Sequence, residues 1–141
     1  METYLTYPNI NSEITELRQE VFVKEQNVPY ELEIETDEEK YLHFCLFENH
    51  ILIAYARGRI EGTVARIGRV CVNKNYRRLG YGSKILQYAE AELLPFNVQK
   101  YSLNAQVTAV EFYKQFGYQV VGEGFLEAGI LHYPMVKPRK K

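Results

Sequence analysis

The feature that most limits the fold is a change of hydrophobic period across a glycine-bearing turn. Residues 41–47, 51–57 and 64–72 are apolar runs rich in β-branched and aromatic side chains, the pattern of half-buried strands. After Asn75-Tyr76-Arg77-Arg78-Leu79-Gly80-Tyr81-Gly82, the residues Ile85, Leu86, Ala89, Leu93 and Leu94 recur at helical spacing until Pro95 stops them. Three strands thus feed a helix through one short turn, an order that suits neither a helix bundle nor a sandwich.

The flanking segments extend this pattern. Residues 3–7 alternate weakly as a short edge strand, and Asn11 or Ser12 caps a helix carrying Ile14, Leu17, Val21 and Phe22 on one face. Pro29 interrupts, so residues 26–34 read as a loop or a short second helix. Glu48-Asn49-His50 is a hairpin turn between the first two long runs, and Gly58 and Gly62 mark the connection to the third. Further on come a strand at 101–103, a helix at 108–116 closed by Gly117, a strand at 118–121 and a last strand at 131–136. Pro134 asks for an edge or a bulge in that strand, and the basic residues 137–141 read as a frayed tail. The expected class is α/β (α+β), with a mixed, mostly antiparallel sheet flanked by helices.

With 141 residues, 46% of them hydrophobic and 25% charged, the chain reads as one domain over 1–141 able to bury a core. The first residues lack a basic-then-apolar leader and no apolar run nears the roughly 20 residues of a membrane span, so a cytoplasmic protein without membrane attachment is expected. A net charge of -1 supplies no global attraction for nucleic acid. Acids crowd the first 40 residues, whereas Arg57, Arg59, Arg66, Arg69, Arg77 and Arg78 fill the middle. That asymmetry is either solvated surface or a pair of faces drawing a cationic substrate and an anionic cofactor. Cys45 and Cys71 sit inside apolar runs, and three scattered histidines form no metal-ligand spacing, so neither a disulfide nor a metal is expected.

Gly80 and Gly82, at the first turn of a helix, let backbone N–H groups approach an anion, and the helix dipole favours phosphate there. Arg77 and Arg78 add charge. The alternative is a tight strand-to-helix turn with solvated arginines. Neither GxGxxG nor GxxxxGK[ST] occurs, which removes the dinucleotide and P-loop readings.

Arg77-x-x-Gly80-x-Gly82 resembles the Gln/Arg-x-x-Gly-x-Gly/Ala acyl-CoA signature of the GCN5-related N-acetyltransferase (GNAT) superfamily, and residues 109–118, with Ala109, Tyr113 and Gly117-Tyr118, resemble its late helix and turn. Leu17 to Tyr30, Ala54-Tyr55-Ala56-Arg57, Ile67-Gly68-Arg69-Val70, Asn104-Ala105-Gln106 and Phe125 to His132 are similar to the ElaA-like branch. The resemblance implies a sheet splayed after the fourth strand to admit acetyl-CoA as cosubstrate. Backbone groups of Val70, Cys71 and Val72 would bond the pantetheine arm, and Arg77, Arg78, Leu79, Gly80, Tyr81 and Gly82 would surround the pyrophosphate. Asn104 and Gln106 would stand opposite. Many relatives carry Asn at the position of Gln106, and the longer amide either replaces that contact or supports the loop.

The resemblance also implies that Tyr113 gives a proton to the departing thiolate, against the plainer role of packing beside Phe112 and Phe116. An acceptor ammonium must lose a proton before attack, and Glu61, Glu111, Glu127 and His132 are the candidate bases. Of these His132, an imidazole with an ordinary pKa of about 6.5, suits the task best, unless it is structural. Phe22, Glu25, Gln26, Asn27, Tyr30 and Glu33 fall where the acceptor would bind. The implied reaction is acetyl transfer to a primary amine, on a small molecule or a peptide, by direct attack in a ternary complex. The alternative is an acyl-CoA-binding regulatory domain without transfer. Monomer and homodimer both remain open.

Overall fold

The computed structural model describes residues 1–35 and 37–139. Asn11 caps α1 (Ser12–Arg18), accepting a 2.9 Å bond from the Ile14 amide. That helix continues as a π-helical segment, Gln19–Glu25, followed by the short α2 (Tyr30–Glu33). The wide turn is closed by the amides of Gln26, bonded to the Val21 carbonyl, and Val28, bonded to that of Phe22. The spacing of Ile14, Leu17 and Val21 reads as an ordinary helix and does not reveal it.

Eight strands form one sheet: β1 (Glu2–Tyr7), β2 (Leu42–Glu48), β3 (Ile51–Glu61), β4 (Val64–Val72), β5 (Lys100–Gln106), β6 (Gln119–Val120), β7 (Phe125–Glu127) and β8 (Ile130–Pro138). Their order is β1-β2-β3-β4-β5-β8-β6, with β7 also on β8, and only β4 with β5 is parallel. The mixed, mostly antiparallel sheet expected from the sequence is therefore present. Asn49 and His50, with φ of 50° and 68°, turn the β2–β3 hairpin in the left-handed pair that matches strand twist.

Three expectations need correction. Gly58 lies inside β3, not in a connection: a Cβ there would stand 2.7 Å from Leu93 Cδ1, so the glycine serves the close approach of α3 (Tyr81–Leu93) to the sheet. Pro134 sits in the interior of β8. It is tolerated because it falls between the residues that pair with β7, ending at His132, and those that pair with β6, starting at Met135. Lys137 is no tail residue: its ammonium donates to Glu90 at 2.8 Å and Arg139 N bonds the Gln99 carbonyl. Lys140 and Lys141 lie outside the described residues.

One face of the sheet packs on α3 and on α4 (Val110–Lys114) through Phe44, Ile53, Ile67, Ile85, Leu86 and Leu93. The other packs on α1 and the π segment through Ile14, Val21, Phe22, Cys45 and Tyr55. Beside this second core lies an ion-pair network. Arg18, fully buried, donates to Glu33 at 2.7 Å and to both oxygens of Glu38 at 2.9 and 3.0 Å, while Arg57 reaches Glu38 at 2.9 Å. His43 Nε2 donates to the Glu38 carbonyl and Nδ1 accepts from Tyr55, so burial keeps this histidine neutral. Part of the early acidic run is thus a buried clamp that fastens residues 30–40 to the sheet, neither solvated surface nor a free cation trap.

Burial alone would raise the Glu38 carboxyl, but hydrogen bonds from Arg18 and the charges of Arg18 and Arg57 outweigh it and hold the group at about 2. A carboxyl lowered from about 4.3 adds stability above that value and loses it as pH falls toward 2. The unfolding free energy should drop by about 3 kcal/mol between pH 6 and pH 2 on this account. Glu38→Gln should lose a similar amount at pH 7 by stranding two buried guanidinium groups, and should flatten that part of the acid slope; urea titrations at several pH values check both.

Candidate functional site

Strands β4 and β5 pair only at Val64↔Lys100, Ala65↔Tyr101 and Arg66↔Ser102. Beyond that point β4 stays with β3 and β5 stays with β8 as far as Gln106↔His132. The two strands part, and a cleft of about 1020 Å³ opens between them. A bulge deepens the parting: Arg57 faces Gly68 and Tyr55 faces Cys71, so two residues of β4, Arg69 and Val70, oppose one of β3. Arg69 takes a φ of 53° there. The β4 edge from Ile67 to Val72 consequently has backbone groups without a strand partner on the cleft side.

At its end β4 runs into the glycine turn. Arg78 and Gly80 adopt φ of 65° and 87°, and Gly80 begins α3 with no side-chain cap. The first helical bond is Lys84 N to the Gly80 carbonyl, so the amides of Tyr81, Gly82 and Ser83 precede the helical ladder and open on the cleft. A Cβ on Gly82 would stand 3.4 Å from Phe112 Cζ and 3.8 Å from Val72 Cγ2, so a larger side chain would enter the space between α3 and α4. This array of N–H donors fits a pyrophosphate, and the open edge beside it fits an extended amide-bearing arm.

The cleft gathers Phe22, Gln26, Glu33, Val70, Cys71, Val72, Arg77, Arg78, Gly80, Tyr81, Gly82, Asn104, Gln106, Tyr113 and His132. Glu25, Asn27, Tyr30, Leu79 and Glu61 do not line it. Tyr30 and Leu79 are exposed on the outside, and Asn27 is an exposed turn residue with φ of 61°. Glu61 ends β3 and pairs with Arg59 and Arg66. Glu25 holds Arg77 through two bonds, one of 2.7 Å, and Arg77 also donates twice to the Val72 carbonyl. The Arg77 hydrogen bond lowers the Glu25 carboxyl. This ion pair ties the π segment to the glycine turn, and nothing in the spacing of residues 25 and 77 announces it.

Tyr113, on α4, is 8% exposed and packs at 5.1 Å against Phe112 and 5.9 Å against Tyr118. Burial pushes its phenol well above the ordinary range, so it keeps its proton at neutral pH. Burial likewise pushes the Cys71 thiol up to about 12, which leaves it un-ionised. His132 Nδ1 donates to the Ile130 carbonyl at 2.7 Å, which leaves the lone pair on Nε2, 3.7 Å from Glu127. Phe125 stacks on the ring. Beside it the Gln106 amide donates to Gln26 at 2.7 Å, bridging β5 to the π segment. Glu33 is 1% exposed and accepts from Arg18 and from Arg69 at 3.2 Å. Glu111 is exposed and pairs with Lys114. Among the described residues, no helix is long and apolar enough to cross a membrane.

Known proteins share this arrangement. The Acetyltransferase (GNAT) domain family matches residues 10–139. The chain is 39% identical over 122 residues to YjcF of Bacillus subtilis, an uncharacterized N-acetyltransferase, covering 86% of this chain and 87% of that one. Among solved structures, Escherichia coli ElaA superposes with a TM-score of 0.84 at 28% identity over 97% of this chain and 99% of that one. An acyl-CoA N-acyltransferase from Pseudomonas aeruginosa superposes with a TM-score of 0.85 at 25% identity over the same shares. A domain match over nearly the whole chain, joined to a sheet that opens between its fourth and fifth strands, means that this chain belongs to the GNAT acetyltransferase family.

Proposed function

We propose that the protein transfers an acetyl group from acetyl-CoA to a primary amine by direct attack within a ternary complex. The observation that carries this reading is the unpaired β4 edge leading straight into the free amides of Tyr81, Gly82 and Ser83. Acetyl-CoA is the cosubstrate and supplies an activated thioester. Backbone groups of Val70, Cys71 and Val72 bond the pantetheine arm, and the amides from Arg78 to Gly82 hold the pyrophosphate, with Arg77 adding charge beside them. Asn104 and Gln106 form the opposite wall. Phe22 and Gln26 bound the acceptor's place, while Glu33 fixes Arg69.

Tyr113 donates its proton to the departing thiolate. An ordinary phenol, near 10, is a poorer acid than an ordinary thiol, near 8.5, by about 2 kcal/mol. Burial raises the Tyr113 phenol and the neighbouring Cys71 thiol alike, so a thiolate leaving in this cleft is a stronger base than in water while the phenol stays protonated to meet it. On the acceptor side, His132 Nε2 takes the proton from the amine, directly or through water, with Glu127 at 3.7 Å. Two substrates held together need no covalent enzyme intermediate, which leaves Cys71 as a wall of the arm's channel.

Thiol release from acetyl-CoA across polyamines, amino sugars, arylalkylamines and lysine peptides, with the product confirmed by mass, tests the reaction. Coenzyme A binding without amine-dependent release would favour an acyl-CoA-binding domain that transfers nothing. Gly82→Trp should weaken acetyl-CoA binding at least tenfold in calorimetry with the far-ultraviolet circular dichroism unchanged, and undiminished binding would remove the turn as the pyrophosphate site. Tyr113→Phe should lower kcat by roughly a hundredfold while coenzyme A affinity stays within a factor of three; wild-type turnover would reduce the tyrosine to packing. His132→Gln should slow alkylamines by a similar factor and arylamines much less, since an arylamine carries no ammonium proton at neutral pH. Equal losses for both amine classes would count against His132 as the base.

A further inference from the structure

Among the described residues, four buried side-chain polar atoms have no hydrogen-bond partner: Glu33 Oε1, Arg57 Nε, Arg59 Nε and Ser102 Oγ. All four residues line the cleft. An unpaired buried polar atom destabilises the fold, so their concentration along the cleft marks where a ligand would bring compensation. Three of the four can donate.

The sheet register sets two of these donors, on Arg59 and Ser102, on either side of Arg66. Arg59 faces Arg66 across β3 and β4, and Arg66 faces Ser102 across β4 and β5. The three therefore stand side by side on one face, at the last pair before β4 and β5 separate, which is the closed end of the cleft. Tyr41 lies under two guanidinium groups, 4.0 Å from Arg57 and 5.1 Å from Arg59, and this stacking holds their planes.

The neighbouring acids are already committed. Glu33 is engaged by Arg18 and Arg69, Glu38 by Arg18 and Arg57, and Glu35 by Arg57 and Arg69. What faces Arg59 and Arg66 is Glu61, in contact with Arg59 and 3.8 Å from Arg66, and Asp37 at 3.7 Å from Arg59. Those pairs are open to solvent, with Arg66 46% exposed and Glu61 43% exposed, where water screens an ion pair and leaves it weak. A bidentate carboxylate or phosphate is the stronger partner for a guanidinium.

We infer that the acceptor amine also carries an anionic group, a carboxylate or a phosphate, and that Arg59, Arg66 and Ser102 bind it at the closed end of the cleft. The inference rests on the reading of the cleft as an acetyl-transfer site. Arg66 stands four residue steps before Val70 at the bulge, about 13 Å of strand, so anion and amine belong to the two ends of one extended small molecule.

Binding to the protein saturated with coenzyme A, measured by calorimetry, tests this without requiring transfer, so its outcome stands apart from whether thiol release is observed. The probes are matched pairs whose amine and anion can reach along that length of strand: 8-aminooctyl phosphate against 8-aminooctanol for phosphate, and 8-aminooctanoate against octylamine for carboxylate. The anion-bearing member of at least one pair should bind at least tenfold tighter, and the pair that responds identifies the anion. Arg66→Gln should abolish that preference with coenzyme A affinity unchanged. Ser102→Ala should reduce it about threefold with no loss of Tm, because the hydroxyl has no partner to forfeit. Equal binding within both pairs, tighter binding of the amines that lack the anion, a preference that survives Arg66→Gln, or no binding by either anion-bearing probe while coenzyme A binds would each overturn the inference.

Discussion

Two strands that share only three residue pairs govern this protein. β4 and β5 begin side by side and then follow different partners, β3 and β8, so the sheet divides without losing its covering of helices. Backbone groups along the divide cannot remain unpaired in a dry interior, and a bound molecule with amides of its own is the natural complement. The other site features are placed relative to that divide. α3 begins where β4 ends, α4 carries Tyr113 against the α3 side, and the π segment brings Phe22 and Gln26 to the other.

Charge is distributed by burial rather than by sequence neighbourhood. The acids between residues 33 and 38 look free in the linear chain, yet Glu33 and Glu38 are consumed by Arg18, Arg57 and Arg69. The clamp fastens Glu33 and Glu38 to β3 and β4 and so forms part of one wall of the cleft. The donors that the clamp leaves over, not its carboxylates, give that wall its chemical character. The middle arginines, which in the sequence look like candidates for the cofactor alone, divide into two groups: Arg77 and Arg78 at the glycine turn, and Arg57, Arg59, Arg66 and Arg69 on the face toward the π segment.

Much of the fold was legible because period and punctuation agree over long stretches. Ile85 to Leu93 repeat at helical spacing, Asn49-His50 sits between two apolar runs, and Asn11 precedes an amphipathic helix. The glycine turn was legible for the same reason: Gly80 and Gly82 stand between a strand and a helix. What escaped depends on contacts between distant residues. The role of Gly58 lies in Leu93, that of Arg18 in Glu38, and that of Glu25 in Arg77. The bulge at Arg69 and Val70 has no local signature either, since the positive φ of Arg69 goes with a register shift against β3, a distant partner in the sequence. Glu61 was misjudged as a neighbour of the chemistry because a strand end looks central until its partner strands are known.

β8 is the last strand in chain order and the one through which β5, β6 and β7 are all held. During synthesis the first half of the sheet, β1 to β4 with α3, has its partners available early, since those pairings join consecutive segments. The far wall has only the three β4–β5 pairs until β8 emerges. An incomplete chain is therefore half a sheet with an exposed edge at β4, and that edge is the same backbone that later faces the cleft. The price of a ligand channel built into the middle of a sheet is an interval in the life of every molecule when its binding surface is also its stickiest surface.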